Sequence, residues 1–110
     1  MIKLKSILTE HKIAIYRGIS VYNKTRNNYY TTDKEWARQF TQSGLDNEIK
    51  KAYIDTKVIY TANPLPQATN EKEMDNTIVL AKTNGFKAIW VNEGINEPNS
   101  IYIIDKTALL

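Results

Sequence analysis

Hydrophobic and polar positions alternate along the chain in short segments, most of which have the length of a strand. Strands and helices mix without the regular alternation that is typical of doubly wound folds. The chain is therefore predicted to be an α+β protein with a mainly antiparallel sheet and two or three helices. Runs of apolar, β-branched and aromatic residues predict strands at 13–16, 29–31, 49–55, 58–60, 86–91 and 101–104.

Two segments instead show helical periodicity, with their apolar residues on one face. The first is predicted to begin at Thr32, which precedes Glu35 by the spacing of a capping box, and to end at Gly44. The second is predicted to begin after Asn70 and to end at Gly85. Both helices are expected to pack on the sheet.

Residues 1–10 form a short amphipathic segment, which predicts a helix packed on the domain. The same segment resembles the capsid-targeting leaders of internal head proteins from large tailed phages. Those leaders are removed after a Leu-x-Glu sequence, which Leu8-Thr9-Glu10 matches. This resemblance implies a mature chain that begins at His11 and is packaged in a phage head.

Length and composition limit the alternatives. A chain of 110 residues with 42% hydrophobic content has one core, so residues 11–110 are predicted to form a single domain. The absence of cysteine excludes disulfides and thiolate nucleophiles, and the lone His11 leaves no histidine-rich metal site. No apolar run approaches the ~20 residues that a membrane-spanning helix needs. We therefore expect a cytoplasmic protein with no membrane or metal partner. The resemblance of residues 1–10 to phage leaders implies that the cytoplasm is that of a bacterial host.

The net charge of +3 adds little, because acidic residues are interspersed among the basic ones. Tyrosines and tryptophans are compatible with binding of single-stranded nucleic acid. However, they fall mostly within the apolar patterns of strands and helices, so core packing explains them better.

Candidate binding residues lie at the ends of the first two predicted strands. Arg17 and Gly18 follow the first strand, where a guanidinium can bind phosphate or carboxylate and a glycine permits close approach. Alternatively, Arg17 extends its charged end to solvent. After the second strand, Thr31 and Thr32 lead directly to a helix N-terminus, where a polar ligand can meet hydroxyls and backbone N–H groups. The alternative is an ordinary capped junction.

The order of these segments resembles that of compact ADP-ribosyltransferase-like domains of the arginine–serine–glutamate class, found in phages, toxins and polyvalent proteins. The resemblance extends over residues 13–110 and is distributed rather than concentrated in one motif. It is carried by Tyr16–Gly18, Tyr29–Asp33 with the helix after it, Asn63–Leu65, Gly85–Ile89 and Tyr102–Asp105.

The resemblance implies that NAD is the cofactor. In the family, an arginine at the end of the first strand binds NAD phosphate, and a hydroxyl-rich strand end supports the nicotinamide ribose. An aromatic residue such as Tyr30 or Phe86 would stack on nicotinamide. The implied cofactor-binding residues are Arg17, Gly18, Tyr30, Thr31, Thr32 and Phe86.

The family also places a glutamate near the final strands, where its carboxylate stabilises positive charge as nicotinamide leaves. Directly before the last strand this chain has Ser100 instead. The available carboxylates are those of Glu97 and Glu93, of which Glu97 is the preferred candidate for the catalytic residue. The alternative is that both are solvated charges of a surface loop.

Two functions are compatible with these residues. The first is an NAD-dependent mono-ADP-ribosyltransferase that modifies a host protein or nucleic acid. The second is a catalytically inert relic of the same fold that binds and inhibits a host or defence factor. The displaced glutamate favours the second, and the order of the motifs favours the first. An unrelated α+β domain whose motifs match by chance is the third alternative.

Overall fold

A computed structural model of the protein describes residues 11–19 and 28–110. The predicted leader at 1–10, with its Leu8-Thr9-Glu10 sequence, lies outside the described residues. In the described part, six strands form one sheet with two α-helices packed on it, which confirms the α+β prediction. The strands are β1 Lys12–Gly18, β2 Tyr29–Thr31, β3 Ile49–Asp55, β4 Ile59–Tyr60, β5 Ala88–Val91 and β6 Ser100–Ile103, and the helices are α1 Lys34–Arg38 and α2 Glu71–Thr83.

The sheet is mainly antiparallel, as predicted, and it curls. Its strand order is β3-β1-β2-β6-β5-β4, and β4 with β5 is the parallel pair. Strands β3 and β4 are the two edge strands of the sheet, yet only the short 3-10 helix Thr56–Val58 connects them. The sheet must therefore curl until its two edges approach each other. The chain end lies along the β3 edge, where Leu109 bridges Ile54 and the Leu110 N–H donates to the Tyr53 carbonyl (2.9 Å).

Each face of the sheet buries apolar side chains, because residues along a strand point alternately to opposite sides. On β5, Ala88 and Trp90 point into the curl, whereas Ile89 and Val91 point outward beneath α2. The inner core is formed around the buried Ile15, Tyr30, Ile54, Ile59, Ile101 and Ile103.

Helix α2 agrees closely with its predicted pattern. The Asn70 side chain accepts a hydrogen bond from the Glu73 N–H (3.1 Å), so Asn70 is the N-cap. Met74 and Ala81 are the buried residues of the helix, as its apolar stripe predicted. Gly85 follows the helix with a φ of +82°, a left-handed conformation that glycine adopts readily.

Helix α1 differs from its prediction at both ends. Its N-cap is Asp33, whose carboxylate accepts from the N–H groups of Glu35 (2.9 Å) and Trp36 (3.1 Å). The cap predicted at Thr32 was therefore wrong by one residue, because a carboxylate in the next position forms these bonds instead. The first-turn donors are already occupied by this carboxylate, which leaves an anionic ligand little to bind there.

The helix also ends at Arg38, well before the predicted stop at Gly44. The side chain of its last residue, Arg38, contacts the segment that follows. Arg38 Nη1 donates to the Gly44 carbonyl (2.7 Å) and lies 2.8 Å from the Asp46 carboxylate, while its Nε pairs with Glu35 (3.0 Å). These contacts hold the chain after α1 in a turn.

Candidate functional site

A cleft opens between α1 and the neighbouring strands β1, β2 and β6. It brings together segments that are far apart in the sequence, and five of the predicted site residues line it: Arg17, Gly18, Tyr30, Thr31 and Glu93. The lining residues are Tyr16, Arg17, Gly18, Tyr29, Tyr30, Thr31, Trp36, Ala37, Phe40, Glu93 and Ser100.

Close packing of α1 on β1 forms one side of this cleft. A side-chain carbon at Gly18 would lie 2.3 Å from the Ala37 carbonyl oxygen and 2.8 Å from the Phe40 carbonyl carbon. Both are backbone atoms, so a larger residue could be accommodated only by moving the helix. Gly18 thus permits a close approach, as the sequence suggested, but the group that approaches it is the backbone of α1 and of the turn after it.

Two buried hydroxyl residues contribute polar groups to the cleft. Thr31 ends β2 and Ser100 begins β6, and the two are direct cross-strand partners. The Thr31 side chain accepts a hydrogen bond from the Asp33 N–H (3.0 Å), and the Ser100 side chain donates one to Glu93. Both hydroxyl groups are therefore held in fixed positions.

Glu93 supplies the carboxylate of the cleft. It follows β5 by two residues and is half-buried, with its Oε2 accepting the hydrogen bond from Ser100. The backbone before it is fixed as well. The Asn92 N–H donates to the Pro66 carbonyl, and the Asn92 carbonyl accepts from the Ala68 N–H (both 2.9 Å). This side chain is thus oriented by both its hydroxyl partner and its backbone.

Glu97 is not among the cleft residues. It is exposed and lies at the end of a turn in which its N–H donates to the Gly94 carbonyl (3.4 Å). The geometry therefore favours Glu93 over Glu97, the reverse of the preference drawn from the sequence. The β5–β6 pairing of Val91 with Ser100 accounts for this, since it places residues just after β5 beside the start of β6.

Arg17 lines the cleft from β1 and is half-buried. Its Nε is buried and has no hydrogen-bond partner among the residues that the structure describes. A buried donor left without a partner costs about 1–3 kcal/mol, and more when the group is charged. An oxygen atom of a bound ligand would remove this cost, which makes Arg17 a candidate anion-binding residue.

Aromatic rings form the apolar part of the lining. Trp36 on α1 and Phe40 in the turn after it contact each other edge to face, with ring centroids 5.6 Å apart. Tyr29 makes a similar contact with Tyr102 at 5.0 Å. Such walls suit a planar ligand ring and shield polar groups from water.

Two predicted binding residues lie away from the cleft. Thr32 is exposed beside the N-cap and does not line it. Phe86 packs against Tyr60 with the side chains beneath α2. The sequence interpretation in turn assigned no role to the side chain of Ser100 and left Tyr16 and Trp36 outside the site. A serine at the start of an otherwise apolar strand was a usable signal for Ser100 alone.

The cleft is narrow. Its volume is about 30 Å³, which leaves room for about two water molecules. The charged and hydrogen-bonding groups thus fit a nicotinamide-ribose moiety in chemistry, whereas the space does not admit one unless the cleft widens.

Comparisons of the chain with family models, curated proteins and solved structures found no significant match. Neither helix in the described part of the chain is long and apolar enough to cross a membrane. Residues 11–19 and 28–110 also contain no group of three or more His, Asp or Glu side chains that could hold a metal ion.

Proposed function

We propose that the protein binds NAD in this cleft and transfers its ADP-ribosyl group to an acceptor, as ADP-ribosyltransferase-like domains do. One observation carries the proposal: Arg17, Thr31 and Glu93 come from three separate segments and line a single cavity. An arginine, a hydroxyl-bearing strand end and a carboxylate are the groups that the family resemblance implies. Glu93 replaces Glu97 as the proposed catalytic residue.

The roles follow from the chemistry of each side chain. Bound NAD would supply an ADP-ribosyl group, whose bond to nicotinamide breaks with the electron pair leaving on nicotinamide, while an acceptor nucleophile bonds to the ribose and releases its proton. The Glu93 carboxylate would stabilise the positive charge that develops on the ribose. Ser100 holds that carboxylate in place, and the unpaired Arg17 Nε would bind an oxygen of the phosphate or ribose.

The aromatic residues would exclude water and position the nicotinamide ring. The narrow cleft implies that Trp36 and Phe40 shift when the ring enters, because they line one of its walls. Exclusion of water strengthens the interaction of Glu93 with the developing charge, since the local dielectric constant falls.

A second candidate function is favoured by the same narrow volume. If the cleft cannot widen, its volume of about 30 Å³ is too small for NAD. The protein would then be an inert relic of the fold and not an enzyme. Such a protein would bind and inhibit a host or defence factor through its surface. The two functions differ in whether NAD is bound at all.

Calorimetric titration with NAD separates them. The wild-type protein is expected to bind NAD, and R17K is expected to bind it at least about tenfold more weakly, because a lysine cannot replace the guanidinium donors. Absence of heat from the wild-type protein, with a host protein recovered on it, would instead support the inhibitor.

Transfer of label from NAD into proteins and nucleic acids of a bacterial lysate tests catalysis. We expect E93Q to lower transfer by about 10²-fold or more, as loss of an electrostatic group in an active site does. E97Q is the matched control, since it makes the same change four residues later on an exposed side chain. Normal transfer by E93Q, or loss in E97Q alone, would contradict the site.

A further inference from the structure

A basic and aromatic surface lies beside the cleft on β1 and β3. Tyr53 is 39% exposed, unlike the tyrosines that the apolar pattern assigned to the core. The Lys12 ammonium lies 5.5 Å from the centroid of its ring and the Lys51 ammonium lies 5.2 Å from it. Two cations at these distances are attracted to the ring, and both lysines are exposed. These three residues are called the Tyr53 surface below.

The strand register places these residues on one face of the sheet. Lys12 pairs with Asp55, Ala14 with Tyr53, and Tyr16 with Lys51. Directly opposite residues on antiparallel strands point to the same side.

The acidic group on this face is Asp55. It pairs with Lys12, and its carboxylate accepts a hydrogen bond from the Lys57 N–H (2.8 Å). Two ammonium groups thus outnumber one carboxylate, so the net charge of these residues is positive and the surface is favourable for an anion.

The Tyr53 surface is continuous with the cleft. Lys51 lies opposite Tyr16, and Tyr16 lines the cleft. Side chains in such a pair are about 5 Å apart at Cβ. A ligand that extends along β3 could therefore contact Tyr53 and Lys51 and reach the cleft at Tyr16.

We propose that the Tyr53 surface binds single-stranded nucleic acid and directs it toward the cleft. Phosphates would draw the two ammonium groups away from the ring, and an unpaired base would stack on the ring face that they leave. A duplex conceals its base faces, and an acidic peptide would use the lysines but not the ring. If the proposed transfer takes place, a nucleotide of this strand is its acceptor, and that part rests on the proposed function.

Fluorescence anisotropy with a labelled thymidine oligonucleotide of about 15 nucleotides, within the length that one small binding domain covers, tests the proposal. Y53A is expected to weaken binding by about fivefold or more, whereas Y53F keeps the ring and is expected to bind normally. The variant K12A/K51A removes two phosphate contacts. The plot of log K against log salt should then become shallower by about 1.4.

K82A is the matched control, because Lys82 is an exposed lysine in the last turn of α2. Normal oligonucleotide binding by K82A is expected. Loss of binding in K82A with normal binding by K12A/K51A would place the site elsewhere and overturn the proposal. Tighter binding of the duplex or of polyglutamate would overturn the nucleic-acid assignment, and so would no binding at all.

The test is independent of NAD. K12A/K51A is expected to bind NAD like the wild-type protein in calorimetry, so a failure of oligonucleotide binding leaves the cleft assignment standing. Conversely, the wild-type protein could bind the oligonucleotide but not NAD. That result would support nucleic-acid binding by the Tyr53 surface and contradict its role in presenting an acceptor.

Discussion

Thr31 and Ser100 face each other across β2 and β6, and they are the buried polar side chains of the part of the chain that the structure describes, at 4% and 2% exposure. Each contacts a group that shapes the cleft, since Thr31 accepts from the Asp33 N–H and Ser100 donates to Glu93. Buried hydroxyls need such partners to offset their lost hydration. One cross-strand pair therefore links the start of α1 to the carboxylate of the cleft.

Removal of the Ser100 hydroxyl should release Glu93. We expect S100A to lower the free energy of unfolding by about 1–2 kcal/mol, because a hydrogen bond to a charged group is lost. S43A is the control, since Ser43 is exposed and its contact with Glu48 is made by its backbone N–H, which the substitution keeps. Urea denaturation of both variants measures the difference, and equal stability would show that the hydroxyl does not hold Glu93.

A side chain at Gly18 should displace α1. G18A would bring a carbon within 2.3 Å of the Ala37 carbonyl, so we expect a loss of about 1–3 kcal/mol in the free energy of unfolding. We also expect a red shift in the emission of Trp36, measured in W90F proteins because Trp90 emits as well. G85A provides the comparison. Open space surrounds Gly85, so any loss of stability in G85A arises from the positive φ of this residue alone. Unchanged fluorescence in G18A would mean that the helix does not rest on this glycine.

The position of the α1 cap predicts a contrast between two neighbouring residues. D33A should lower the free energy of unfolding by about 1 kcal/mol, because Asp33 accepts from two first-turn N–H groups. T32A should change it by less than about 0.5 kcal/mol, since Thr32 is exposed. Thermal melts of both variants test this, and the reverse order would restore the cap to Thr32.

The ion pairs of Arg38 with Glu35 and Asp46 predict how the free energy of unfolding depends on pH. Hydrogen bonds from Arg38 lower the pKa values of Glu35 and Asp46 below their ordinary values of 4.5 and 3.8. The unfolded state therefore binds protons first as the pH falls. The contribution of the pair is complete above about pH 5 and is lost as the pH falls through the folded-state pKa values.

R38Q removes this contribution. Its melting temperature should fall less steeply than that of the wild-type protein between about pH 5 and pH 3. High salt should reduce the difference, because the carboxylates are exposed. Parallel curves for the two proteins across this range would contradict the assignment.

Much of the fold could be predicted from local patterns. Tyr29–Thr31 had strong strand propensity, and α2 carried both its cap at Asn70 and its stop at Gly85. Lateral strand order and the curl of the sheet depend on contacts between distant segments, which no local pattern encodes. The contact of Arg38, at the early end of α1, with Asp46 is likewise set by tertiary structure.

The site was predictable to a smaller extent. Arg17 and Thr31 were found because strand ends are recognisable in sequence, and both line the cleft. The choice between Glu93 and Glu97 depends on the register of β5 with β6, which fixes the residue that lies beside Ser100. Two glutamates in one loop cannot be distinguished by residue type.

Arg17, Thr31 and Glu93 are proposed to form one binding site for NAD. Titration of the isotopically labelled protein with NAD, followed by two-dimensional NMR of the backbone amides, tests it most directly. We expect the largest shifts at residues 16–18, 29–31 and 93, with little change at Phe86. No saturable shifts, or shifts confined to Phe86 and its neighbours, would contradict it.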